Sequence, residues 1–223
     1  MQGRPTIAIL GGTGDLGSGL ARLFAAAGYP VVIGSRAKEK AKHFSAQLST
    51  ELAREVRGED NRGAAASADI VFLCVPYSNH DQILAEVKPV IDGKILIDAV
   101  VPLVPPKVSV VQLPAAGSPA LVAQRTLGEG VRVAAAFHNV GAKKLHRGEK
   151  ADCDVLVFAD DAAVREQVIE LAHVVATRGV DGGVLANAVA AEALTSVLIA
   201  INRRYKVAGA GIRITGLPTV ETR

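Results

Sequence analysis

The stretch Ile7-Ala8-Ile9-Leu10-Gly11-Gly12-Thr13-Gly14-Asp15-Leu16-Gly17 constrains the fold most. An apolar run stops at a glycine cluster, and a helical pattern begins on the far side. That order predicts a buried strand, a tight turn and a helix N-terminus, with Gly12, Gly14 and Gly17 in G-x-G-x-x-G register. Each glycine has its own task in such a turn. Gly12 permits the tight bend, Gly14 lets a pyrophosphate approach the backbone, and Gly17 lets the helix lie against the strand. The first N–H groups of the helix have no internal partners, and the helix dipole makes that end attractive to phosphate.

Composition agrees with a helix-covered parallel sheet. Of 223 residues, 49% are apolar and only 4% aromatic, so the core must be built from Ala, Val, Leu and Ile. The net charge of +3 comes without a long basic run, which argues against a nucleic-acid surface. Cys74 and Cys153 have no metal-ligand spacing and read as buried structural thiols. Met1-Gln2-Gly3-Arg4-Pro5 leads directly into a strand, so the expectation is no signal peptide and a cytoplasmic protein.

Along the chain, a first helix is expected over residues 15–27, closed by Gly28 and Tyr29-Pro30. A second strand, Val31-Val32-Ile33, ends in Gly34-Ser35-Arg36. A site for NAD usually places a carboxylate there to bond the ribose hydroxyls. Ser35, Arg36, Lys38 and Lys40 instead suit a 2′-phosphate, which points to NADP. Residues 37–57 read as a long polar helix, and Gly58-Glu59-Asp60-Asn61 breaks it. Asn61 is expected to cap a short helix over 62–68. A third strand over 70–75 brings Val75, Pro76 and Tyr77 to the carboxyl edge of the sheet, where ligands bind in open α/β folds. Tyr77 there is equally a surface aromatic or a contact for the nicotinamide or a second ligand.

Ser78 and Asn79 can cap the next helix, and His80 near its start is a weak acid–base candidate. A fourth strand over 94–98 leads into Val100-Val101-Pro102-Leu103-Val104-Pro105-Pro106, an extended loop across the cleft rim. Ser118-Pro119 starts a helix to about residue 127, and a fifth strand over 131–137 ends in His138-Asn139. Lys143, Lys144, His146 and Arg147 follow as a loop that would concentrate an acidic ligand. A strand over 154–159, a helix from Asp160-Asp161 to about 174 and a short strand over 176–180 come next.

The last major element spans 184–207. Asn187, Glu192 and Asn202 interrupt its apolar surface, which argues against a membrane span. So apolar a helix is expected to be buried over the sheet or against another subunit, and a homodimer is expected. The glycine-rich tail 208–216 is read as lining a surface or a ligand, and 218–223 as a frayed end. The expected fold class is α/β. A Rossmann-type doubly wound parallel sheet over 1–141 binds NADP. A small C-terminal α/β domain over 142–223 completes the cleft and the dimer interface.

No Ser-His-Asp trio, metal spacing or carboxylate pair can be assembled from the sequence. A dinucleotide site without acid–base machinery points to simple hydride transfer, in which the cofactors carry the chemistry. The chain resembles the coenzyme F420-dependent NADP oxidoreductases. The matching pieces are Leu10 to Gly17, Gly34-Ser35-Arg36 with Lys40, Val75-Pro76-Tyr77, Pro102-Leu103-Val104-Pro105, Phe137-His138, Asp152-Cys153-Asp154-Val155, and Asn187 with Glu192-Ala193-Leu194-Thr195.

The resemblance implies that Thr13, Ser35, Arg36 and Lys40 bind the NADP phosphates. It also implies that Pro76, His138 and the loop from Pro102 lie near the deazaflavin, and that hydride passes directly between nicotinamide and deazaflavin. The polyglutamyl tail of coenzyme F420 would then suit Lys143, Lys144 and Arg147. The expected cofactor contacts are Gly12, Thr13, Gly14, Asp15, Leu16, Gly17, Ser35, Arg36, Lys40, Val75, Pro76, Tyr77, Val101, Pro102 and His138, with His138 and Pro76 nearest the transfer and no metal. Tyr77-Ser78-Asn79-His80 and Asn139 depart from the family pattern on the acceptor side. Other acceptors, namely a pterin, a flavin or an imine, are the alternative reading, as is a non-catalytic NADPH-binding redox sensor.

Overall fold

A computed structural model describes residues 3–218. The expected fraying of 218–223 falls almost wholly outside them. The first half of the chain alternates strand and helix: β1 (Ile7–Leu10), α1 (Asp15–Ala26), β2 (Val31–Ser35), α2 (Lys38–Leu52), β3 (Val56–Asp60), α3 (Asn61–Ala66), β4 (Ile70–Leu73) and α4 (His80–Val87). It continues with β5 (Ile95–Asp98), α5 (Pro119–Leu127), β6 (Arg132–Ala135), α6 (Ala142–His146), β7 (Ala151–Ala159), α7 (Ala162–Val175), β8 (Ala176–Asp181) and α8 (Ala188–Tyr205).

The strands form one sheet in the order β3-β2-β1-β4-β5-β6-β7-β8. The six from β3 to β6 are parallel, in Rossmann order. Leu10 pairs with Gly34 and with Leu73, and Leu73 pairs with Asp98, so the carboxyl ends of β1, β2, β4 and β5 lie level. β7 departs from the all-parallel expectation and runs antiparallel to β6. A short connection through α6 returns the chain without a crossover. The expected division at 141/142 is not marked in the sheet, because β7 and β8 extend it.

β1 and β4 are buried on both faces, so successive residues feed different cores. Ile7, Ile9 and Phe72 face α1 and α7, where Phe24, Phe72 and Phe137 stack with ring centroids 5.2 and 5.5 Å apart. Ala8, Leu10, Val71 and Leu73 face α3, α4 and α5.

Several local expectations are corrected. The polar helix over 37–57 is a helix and an edge strand. It ends at Ala53, which adopts a left-handed φ of 49° without the usual glycine signal. β3 shows no apolar alternation because only Val56 is fully buried in it. Asp60, not Asn61, caps α3, accepting from the Gly63 N–H at 2.6 Å. Tyr77–Asn79 form a 3-10 turn, and neither Ser78 nor Asn79 caps α4 through its side chain. Residues 142–146, expected as a loop, form α6, which packs on α1 where Gly19 leaves room for Leu145. α8 is only partly buried in this chain, with Val197, Ile201 and Tyr205 exposed.

The tail is tied back by one carboxylate. Buried Asp154 accepts from Arg178 Nε and Nη2 at 3.0 and 2.9 Å and from the Ile214 N–H at 2.7 Å. Asp154→Ala is therefore expected to destabilise the fold by about 3 kcal/mol, because it leaves the guanidinium without its counter-charge. Thermal unfolding checks this, and an unchanged midpoint would contradict it.

Candidate active site

At the carboxyl edge of the sheet the glycine turn forms the floor of a cavity of about 290 Å³. The bend itself belongs to Gly11, whose φ is +74°, rather than to Gly12. A Cβ on Gly12 would come within 2.7 Å of the Ile9 carbonyl oxygen, and one on Gly17 within 2.6 Å of the Gly11 carbonyl oxygen. These two glycines are required by the protein's own packing. Gly14 differs: a Cβ there would meet only the Gly11 oxygen at 3.3 Å, so its surface is left to a ligand. It sits at the N-cap of α1 with no capping side chain. Free N–H groups and an uncovered glycine fit a pyrophosphate.

Thr13, Gly14, Ser35, Arg36, Lys40, Val75 and Pro76 all line this cavity. Lys38 is engaged with Glu59 at 2.6 Å, whereas among the described residues Arg36 and Lys40 form no ion pair. The cavity therefore keeps two free cations beside Ser35, as a 2′-phosphate needs. Asn61, expected as a helix cap, is instead a cavity residue. Asn61 is buried, lines the cavity, and its Oδ1 has no protein partner. Its signal was its place directly after Asp60, which pairs with Ser35.

The remaining expected contacts are placed differently. Gly12 and Gly17 lie beneath the cavity, Leu16 packs against the core, and Tyr77, Val101 and Pro102 line neither this cavity nor the next. Asp15 opens instead into a second cavity of about 560 Å³, bounded by Leu103, His138 to Lys143, one side of α8 and the tail.

His138 dominates the second cavity. Phe137 holds a left-handed φ of +67°, a strained state for a bulky residue, and it turns His138 and Asn139 back over the sheet edge. Both ring nitrogens of His138 are buried without a protein partner. Burial lowers its pKa to about 4 against the pull of Asp98, so the ring is neutral near pH 7. As a neutral ring it carries one donor and one acceptor, both buried. Thr195 Oγ1 donates to the His138 carbonyl at 2.8 Å, and Asn139 Nδ2 donates to the Asp154 carbonyl at 2.6 Å. Lys143 lines the mouth of the cavity, and Arg147 is exposed nearby.

A third group is fully buried behind these cavities. His80 Nε2 lies 2.8 Å from Asp98 Oδ2, and Asp98 Oδ1 accepts from the Val100 N–H at 2.9 Å. Burial opposes the charged ring, but the Asp98 carboxylate prevails and raises the His80 pKa. Glu192 accepts at Oε1 from Ser118 Oγ at 2.7 Å and from the Ala120 N–H at 3.2 Å. Burial raises its pKa to about 7 despite those bonds. Asp98, Ser118 and Glu192 were not singled out as site residues from the sequence. A polar residue ending an apolar strand was the available signal for Asp98. Among the described residues no cluster has the make-up of a metal site.

A Rossmann turn with a phosphate-ready N-terminus, two free cations after β2 and a second cavity beyond the turn are parts that an NADP-dependent oxidoreductase requires. Residues 6–102 match the family described as NADP oxidoreductase, coenzyme F420-dependent. The F420-dependent NADP reductase of Methanothermobacter thermautotrophicus is 43% identical over 96% of this chain and 97% of its own. That of Methanocaldococcus jannaschii is 38% identical over 95% and 98%. The chain belongs to this family.

Among solved structures, a putative F420-dependent NADP reductase from Arthrobacter sp. FB24 superposes with a TM-score of 0.77 at 26% identity, covering 94% of this chain and 98% of that one. An imine reductase from Myxococcus stipitatus, at 21% identity and a TM-score of 0.62, shares the fold over 92% of this chain and 62% of its own.

Arg36→Glu is expected to weaken NADPH about 30-fold or more, the loss of a charge-assisted bond plus new repulsion, and to change NADH binding little. Equilibrium titration with both nucleotides checks this; equal losses would remove Arg36 from the 2′-phosphate.

Proposed function

We propose that this protein transfers a hydride directly and reversibly between NADPH and oxidised coenzyme F420, an 8-hydroxy-5-deazaflavin. The observation that carries the reading is the adjacency of the two cavities: Gly14 lines the first and Asp15, the next residue, lines the second. Two ligands seated there meet at the head of α1, with Thr13, Arg36 and Lys40 on the nucleotide side and His138 on the other. When bound there, the two cofactors would supply the chemistry, a hydride passing from NADPH to oxidised F420 and a solvent proton completing its reduction. The protein's part is to fix that distance and exclude water. Neutral His138 can hydrogen-bond an uncharged ring without imposing a charge on it. Lys143, Lys144 and Arg147 suit the anionic polyglutamyl tail.

We also read the protein as a cytoplasmic homodimer working on small-molecule cofactors, without a nucleic-acid or membrane partner. Free thiols at Cys74 and Cys153 fit a reducing compartment. Leu185–Tyr205 has the length and composition of a membrane span. Its buried Glu192 is nevertheless hydrogen-bonded to α5, which fits a helix of a globular fold. Val197, Ile201 and Tyr205 of α8 lie exposed, as do Val104, Val110 and Val111 of the loop that Arg203 joins at Ser109. A second copy of the chain is the occupant that suits this apolar patch.

Stopped-flow mixing of NADPH with oxidised F420 is expected to bleach the deazaflavin absorbance. No change at high enzyme concentration would sink the reading. Ile201→Glu is expected to shift the sedimentation coefficient from dimer to monomer; a wild-type monomer would refute the dimer.

A further inference from the structure

The wall that α8 gives the second cavity needs something to hold it in place. Thr195, Leu198, Ile199 and Asn202 form that wall, yet the outer face of α8 is exposed. Two of its polar ties bind segments that border the same cavity. Thr195 bonds to the His138 carbonyl at 2.8 Å, and Asn202 Oδ1 accepts from the Ala210 N–H at 2.8 Å. The first reaches the segment just past β6 and the second only the tail, so neither reaches α5 on the far side of the helix. Glu192, one turn before Thr195, reaches out of the cavity to α5. Its Oε1 takes the Ser118 hydroxyl and the Ala120 N–H, at the N-terminus of a helix that belongs to the six-stranded frame.

We propose that Glu192 is a positioning residue for the second ligand: it locks α8 to the N-terminus of α5 and so sets the width of the deazaflavin cavity. This rests on the reading of that cavity as the deazaflavin site. Glu192 touches no cavity surface itself, which separates it from the binding residues. The charged and titratable groups around it are His80 on α4, Asp98 on β5 and Tyr77 in the turn between β4 and α4. Its Oε2 is buried without a partner. The locked arrangement therefore favours the protonated carboxyl, and ionisation above about pH 7 favours release of α8 into water.

The test is equilibrium binding of oxidised F420 by its fluorescence, in the presence of NADP, together with binding of NADPH alone. Glu192→Leu is expected to raise the F420 Kd about tenfold, the loss of hydrogen bonds to a buried carboxyl, while the NADPH Kd stays within about twofold. Ser118→Ala, a milder change should the leucine variant fold poorly, is expected to move the F420 Kd in the same direction. Glu192→Gln keeps an acceptor for Ser118 and Ala120. It is expected to restore binding and to abolish a rise in F420 Kd that wild type shows as pH passes upward through about 7. An unchanged F420 Kd in both Glu192→Leu and Ser118→Ala overturns the proposal. So does an equal loss of NADPH affinity, or a glutamine variant as damaged as the leucine one. Wild type that neither binds nor reduces F420 overturns the functional reading and this inference together. Wild type that does both, with indifferent variants, overturns the inference alone.

Discussion

The arrangement depends on a contact with no side chain in it. Between Gly17 and the backbone of Gly11 and Gly12 there is no room for a Cβ, so α1 lies directly on the end of β1. A methyl group there would lift the helix and swing its N-terminus away from the turn. On its other side α1 carries a second glycine contact, where Gly19 admits Leu145 of α6. One helix is thus clamped twice, to the sheet beneath and to α6 beside it. Its first turn exposes Gly14 to one cavity and Asp15 to the other. Both cavities are referred to the same few atoms.

Electrostatics divides the two halves. The nucleotide side keeps Arg36 and Lys40 uncommitted, while neighbouring Lys38 is neutralised by Glu59. The acceptor side puts a histidine in so dry a place that it stays uncharged. A polyanion and a planar conjugated ring ask for these opposite environments.

What the sequence disclosed follows the physics of each element. β1, β2, β4 and β5 could be read because strands buried on both faces are continuous apolar runs. The turn could be read because Gly12 and Gly17 are demanded by steric contacts that leave no room for a Cβ. β3 could not, since an edge strand with one fully buried residue has no periodic signature, and Ala53 ends α2 without a glycine. That Ser35, Arg36 and Lys40 share one cavity was legible because they lie close together in sequence after β2. Asn61, Asp98 and Glu192 were not legible, because their meaning lies in partners or cavities that only the fold supplies, and Ser118 was legible only as the N-cap of α5. Ser118 and Glu192 meet across 74 positions of chain. The exposed side of α8 likewise depends on what the rest of the chain leaves uncovered.

The contact between Gly141 and Gly209, where a Cβ on the first would stand 2.8 Å from the Cα of the second, also bears on the order of assembly. Every residue lining the nucleotide cavity lies between positions 11 and 83, whereas the second cavity is closed by residues up to 210. On the ribosome, the first half of the cleft has all its parts well before the second has its last wall. Domains generally fold in the order in which they emerge. A ligand held by the earlier part would, by mass action, stabilise the frame on which the later wall docks.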